Sequence, residues 1–278
     1  MPVLARAHQQ LHEIGEAYSA VPYDLIVAGK ALATSAIVRG VPAVRRHWLL
    51  SFWASFLLAY GDYSLPSLVL QVPYPSARLT LPPSHPFLST SPLPPPAGDS
   101  PQAQSDFVWL KKDIILTTFA ACWWLVTYSP RDMGYKAFKL MPLKLLCKAA
   151  SGLARTNVIL SMVDTAVQHF GTHVTVAPLF IGTLSGCGGR LIYDAVLALV
   201  SPSASNHPEL LYPSWYSRSA FLVSLFYTVA VHWTAVCSRH AAYGAIASAM
   251  VAHSAWEVVT DSHLDPSAPL FNLLHSLL

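Results

Sequence analysis

The chain has 278 residues, of which 17 are Lys or Arg and 14 are Asp or Glu, so charged residues make up 11%, against roughly 25% in soluble domains. Hydrophobic residues reach 53% and mean hydropathy is +0.42, which excludes a disordered chain, a basic nucleic-acid-binding protein and most water-soluble enzymes and points to a bilayer. The net charge of +3 selects no partner, and Cys122, Cys147, Cys187 and Cys237 sit in apolar stretches without CxxC spacing, so they read as small core residues.

Residues 1–18 carry Arg6, Glu13 and Glu16 among His and Gln residues, lack the apolar centre of a signal peptide, and read as an amphipathic lead-in. Seven apolar stretches follow, at 19–38, 47–61, 113–129, 136–166, 174–200, 219–237 and 241–259, to be set against the roughly 20 residues that cross a hydrocarbon core. They predict an all-α polytopic membrane protein with seven transmembrane helices. Ten of the 22 prolines fall at 72–101, where Arg78 and Asp99 are the only charges. Proline fixes φ and removes a backbone donor, so residues 66–106 are expected to form an extended loop, its PxxP at Pro92 to Pro96 an inert insertion without function. A short tail, 260–278, ends the chain.

With seven spans the loops alternate sides. One side gathers Arg39, Arg45, Arg46, Arg131, Lys136, Lys139 and Arg218, and the other Arg6, Arg78, Lys111, Lys112 and Arg239. Basic residues favour the cytosolic side, which places the C-terminus in the cytosol and the N-terminus across the membrane.

Charge inside a span is costly and marks a bundle interior, a watery path or a partner. The first span carries Asp24 and Lys30, about 120° apart on a helix and so not a same-face pair. The fourth carries Lys144, Lys148 and Arg155 in one narrow stripe. Snorkelling to headgroups competes there with a site for an anionic lipid headgroup or the lining of an ion path, and Arg155, nearest the middle, favours the latter. In the fifth span Gly182, Gly186, Gly188 and Gly189 fall within eight residues. Gly182 with Gly186 suits close helix contact, whereas so many glycines also mark a kink whose open backbone could face cations. Arg190 is placed to pair with Asp194 at i+4.

Ser185 stands one place late for a GxSxG nucleophile elbow, and GCGG follows no strand. His232 with His240, or His253 with Glu257, lacks a third ligand at helical spacing, so no metal site is expected. The spans hold no paired carboxylates, His cluster or activated nucleophile, and an enzyme is not expected.

Spans one to three (within 19–129) and four to six (within 134–237) share a faint pattern of a basic first helix, a glycine-bearing second (Gly61; Gly186 to Gly189) and an apolar third. Units with an odd number of spans insert in opposite senses, so the two would form inverted three-helix repeats followed by the seventh helix.

Several motifs, in order, resemble the trimeric intracellular cation channel (TRIC) family. Tyr23-Asp24-Leu25, the Arg45-Arg46-His47 run before residues 48–61, and Trp124 through Pro130-Arg131-Asp132 are similar to family motifs. So are Leu140-Met141-Pro142-Leu143-Lys144-Leu145 and the Ile181-Gly182-Thr183-Leu184-Ser185-Gly186-Cys187-Gly188-Gly189 run. The resemblance covers residues 20 to about 260 without the Pro-rich insertion. It implies a homotrimer of the endoplasmic or sarcoplasmic reticulum or the nuclear membrane. Each subunit would hold a pore for monovalent cations, chiefly potassium, balancing charge as calcium is released and taken up.

The resemblance also implies a bound phosphoinositide lipid at basic residues of the fourth helix, with no other cofactor and no nucleic-acid partner. There the chain departs from the family: the K-E-V-x-R motif falls on residues 151–155, so Ser151 replaces the lysine and only Arg155 matches, with Lys148 one turn earlier as a substitute. Ser185 likewise replaces a family lysine. The expected ion path is lined by Gly61, Gly182, Ser185, Gly186, Gly188 and Gly189, and the expected lipid-binding or gating residues are Lys144, Lys148, Ser151 and Arg155. A secondary transporter on the same inverted repeat is the alternative.

Overall fold

A computed structural model describes residues 2–70, 113–171, 173–200 and 213–261, with 265, 266, 268, 269 and 271 beyond them. The proline-rich stretch 72–101, and most of the loop expected over 66–106, lie outside the described residues, as does most of the tail. Among the described residues every regular element is helical, as the apolar spans require when each backbone group must find its partner within its own segment.

The elements run α1 (Pro2–Ser19), α2 (Tyr23–Arg39), the single turn α3 (Pro42–Arg45), α4 (Trp48–Leu70), α5 (Asp113–Tyr128), α6 (Met133–Lys139), α7 (Met141–Phe170), α8 (Val176–Val200), α9 (Trp215–Tyr227) and α10 (Arg239–Thr260). Four of them differ from the sequence expectation. The lead-in is an 18-residue helix, bent 78° from α2 and laid along α10. The second span does not stop at residue 61: α4 runs on through Pro66 to Leu70, because a proline in a buried helix is tolerated when neighbours satisfy the freed carbonyl. The fourth span is divided at Leu140, whose extended backbone separates α6 from α7. Leu140 is the N-cap of α7, a position that takes extended rather than helical backbone, and Pro142 occupies the helix's first turn. The sixth passes from α9 into a π-helical turn, Thr228–Trp233.

The 30-residue α7, about 45 Å long at 1.5 Å per residue, is the axis of the bundle. On one side Leu153, Ile159 and Val163 pack with Ile26, Tyr227, Ile246 and Met250. On the other, Val158 and Met162 pack with Phe56, Tyr60, Phe119, Trp123 and Ile181. A third cluster of Val38, Val44, Ala54 and Tyr193 closes one end.

Polarity is reversed relative to a water-soluble bundle. Lys30, Asp62, Arg155 and Asp164 are buried, whereas Leu68 is 63% and Leu199 85% exposed, with Trp48, Trp124 and Phe180 also outward. An apolar exterior around ionised side chains suits a lipid surround. By length and composition alone one described helix, α8, would cross a membrane, and α1 with α2 would do so only if taken together. Among the charges on the other helices, Lys30, Asp62, Arg155 and Asp164 are buried inside.

Candidate functional site

Lys30, which shares no helical face with Asp24, finds its partner on another span. Lys30 on α2 donates to Asp62 Oδ2 on α4 at 2.9 Å, and the two side chains are 7% and 9% exposed. The other oxygen, Oδ1, accepts the backbone N–H of Gly189 on α8 at 2.7 Å. Three helices thus meet on one carboxylate. Asp62 escaped the sequence reading because it stands one residue past the expected end of its span. The available signal was a lone acid followed by the largely apolar residues 65–70.

The approach of α4 to α8 depends on glycine at two places. A Cβ on Gly189 would stand 2.6 Å from the Leu58 carbonyl oxygen, and one on Gly61 would stand 2.7 Å from Gly189 Cα. Gly188 abuts the Gly61 carbonyl on the same face, while Gly182 and Gly186 turn the opposite way, against Val163 and Ile159 of α7 and Ser224 and Ala220 of α9. α8 stays helical through all four, so they serve close packing on two faces, against the backbone of α4 on one and against side chains of α7 and α9 on the other. Ser185 is buried and its hydroxyl donates to the Gly182 carbonyl at 2.7 Å.

Beside this crossing lies a cavity of about 510 Å³, between α2, α4, α6, α7, α8 and α9. It brings together Lys144, Lys148, Ser151, Arg155 and Gly186 of the expected residues, and leaves Gly61, Gly182, Ser185, Gly188 and Gly189 behind its wall. Lys30, Lys139 and Arg190 add three cations to the lining, and Asp62 is the acid among them.

Arg155, only 6% exposed, is a brace. Its Nε donates to the Gly186 carbonyl at 2.9 Å and its Nη2 to the Tyr216 carbonyl, with the guanidinium 4.9 Å from the Tyr216 ring centroid. One planar fork therefore ties α7 to α8 and α9. Lys148 and Lys144 face α10: Lys148 donates to Glu257 at 3.2 Å, and Lys144 to Asp261 at 3.3 Å. Lys139 lies over the Tyr135 ring at 4.7 Å, and Arg190 reaches Asp194 at 3.4 Å. Sequence reasoning did not identify Glu257 and Asp261 as the partners, since they stand more than 100 residues from their lysines.

A second polar cluster occupies the far half of α7. Asp164 Oδ1 accepts from the Tyr227 hydroxyl at 3.0 Å, His232 Nε2 is 3.0 Å from the same oxygen, and Arg239 pairs with Oδ2. The π turn carries His232 to this carboxylate.

The cavity gathers six cationic side chains and one carboxylate on its lining, and four of the cations, Lys30, Lys144, Lys148 and Arg190, are paired with Asp62, Asp261, Glu257 and Asp194. A model of the family described as TRIC channel matches residues 105–260, more than half of the chain. The chain belongs to the TRIC channel family.

Trimeric intracellular cation channel type B-B of Xenopus laevis is 27% identical over 162 residues, 57% of this chain and 56% of that one. The chain thus spans about half the length of that curated relative. A structure described as the basis for activity of TRIC counter-ion channels in calcium release superposes with a TM-score of 0.71 at 19% identity, covering 90% of this chain and 99% of the other. A trimeric intracellular cation channel from C. elegans in the absence of Ca2+ superposes at 0.67 and 18% identity, covering 91% and 97%. At such identities the likeness is one of fold. TRIC is a family of channels, not enzymes.

Proposed function

We propose that this TRIC-family chain is a potassium-permeable channel of an intracellular membrane, supplying counter-ion current as calcium is released and taken up. The observation that carries this is the reversed polarity around a cavity: Lys30, Asp62 and Arg155 converge on about 510 Å³ of space inside a bundle whose outer faces are apolar. The subunit has seven spans, two inverted three-helix repeats (19–129 and 134–237) and a last helix at 241–259. Three copies assemble, each with its own path. The membrane is that of the endoplasmic or sarcoplasmic reticulum or the nucleus, with the N-terminus lumenal and the C-terminus cytosolic.

Lys144, Lys148 and Arg155 hold the phosphate of a phosphoinositide at the basic mouth, Lys148 standing in where Ser151 replaces the family lysine. The glycines Gly61, Gly182, Gly186, Gly188 and Gly189, with Ser185, set how closely the walls of the path approach, so Gly188→Leu, whose side chain would drive into the Gly61 carbonyl, abolishes current. Planar-bilayer recording of the purified chain in potassium salts tests the reading. Stepwise unitary currents are expected, and a saturable flux without unitary events would make the protein a carrier on the same fold.

A further inference from the structure

A cation pathway lined mainly by ammonium and guanidinium groups raises its own electrostatic barrier; Asp261, Glu257 and Asp194 pair with Lys144, Lys148 and Arg190 from outside the lining, and among the described residues on the cavity wall itself Asp62 is the one acid. That carboxylate already holds an ammonium, Lys30 Nζ at 2.9 Å. Its seat is fixed independently of the lysine, because the Gly189 N–H grips Oδ1 at 2.7 Å and the glycine contact of α4 with α8 sets the backbone behind it. The lysine is the adjustable partner: a compact point charge on a four-carbon stem, 5.3 Å from the centroid of the Tyr63 ring. Buried ion pairs are replaceable by apolar pairs at little cost in stability, so packing alone gives no reason to keep one at a cavity wall.

Resting on the channel reading above, we propose that Asp62 is the seat of the permeating monovalent cation and that Lys30 is a tethered plug occupying it in this conformation. Conduction then requires the Lys30 ammonium to leave Oδ2, and the ion that replaces it binds the carboxylate and passes on.

The test uses the full-length protein in detergent and in planar bilayers, with Lys30→Met, Asp62→Asn and the double variant. Lys30→Met keeps the length of the stem and removes the charge, so potassium current per channel, or the fraction of time open, is expected to rise about threefold or more. Asp62→Asn is expected to lose most of the current. An independent readout is thermal stability in potassium against the bulky cation N-methyl-D-glucamine. Lys30→Met should gain about 3 °C or more in potassium, as ion binding to the vacated seat stabilises the fold, while the wild type and the double variant should not.

Unchanged current in Lys30→Met overturns the proposal, as does a melting point that follows pH but not potassium, since the carboxylate would then merely take up a proton. Should Lys30→Met fail to fold, Lys30→Gln, which keeps a hydrogen-bond donor to Asp62, carries the same comparisons. A wild type without unitary currents would end the channel reading, whereas potassium-dependent melting of Lys30→Met would still report on the seat.

Discussion

Asp62 shows how one residue can join three helices: each oxygen has a partner from a different segment, and the α4–α8 approach that makes this possible leaves no room for a β-carbon at Gly189. Gly189→Ala should therefore cost about 1–3 kcal/mol through overpacking, read as a lower midpoint in a detergent thermal melt. Gly152→Ala is the matched control. Its β-carbon would meet nothing nearer than Ser254 Oγ at 3.3 Å, and the helix propensity gained, up to about 1 kcal/mol, should leave the midpoint unchanged or higher. Arg155→Lys should cost about 1–3 kcal/mol despite keeping the charge, since an ammonium cannot reach two carbonyls and stack on Tyr216 at once. The same melt decides it.

At the scale of elements, α7 is held to its neighbours by charge at both halves. Near its start the acids of α10 cap two lysines, Lys148 by Glu257 and Lys144 by Asp261. If the same lysines hold a lipid phosphate, Glu257 competes with it, and Glu257→Gln should tighten binding of a short-chain phosphoinositide about two- to fivefold, measured by native mass spectrometry of the lipid-bound protein. Near its end, Tyr227→Phe removes a hydroxyl donor from the buried Asp164 and should lower stability by about 1.5–3 kcal/mol, checked by thermal melt. Most helices were legible as apolar runs, because a segment that must satisfy its own backbone announces itself by composition. Asp62 was not, because Pro66 and the charge itself resembled the start of a loop. The Lys148 and Glu257 pairing was not either: helical period tells which residues share a face, but not which helix will stand opposite. Arg155 was conspicuous as an intramembrane charge, yet its partners are backbone carbonyls, which no side-chain pattern betrays.

At the scale of the molecule, the proposed trimer should appear in native mass spectrometry as three copies of a 30.2 kDa chain, and an odd number of spans should leave epitope tags at the two ends on opposite sides of sealed microsomes in a protease-protection assay. The bundle also has a seam where its two ends meet: α1 lies on α10 so closely that a Cβ on Gly15 would stand 2.2 Å from the His240 carbonyl oxygen, and one on Gly244 would stand 2.1 Å from that of Leu11. His8 accepts from the Ser238 N–H beside it at 3.3 Å. Helix α1 is thus seated by a helix far along the chain, and its contact face is complete only once α10 is present. A nascent chain stopped before residue 239 would therefore leave the Gly15 face of α1 uncovered, a surface that the quality-control machinery of a membrane can recognise.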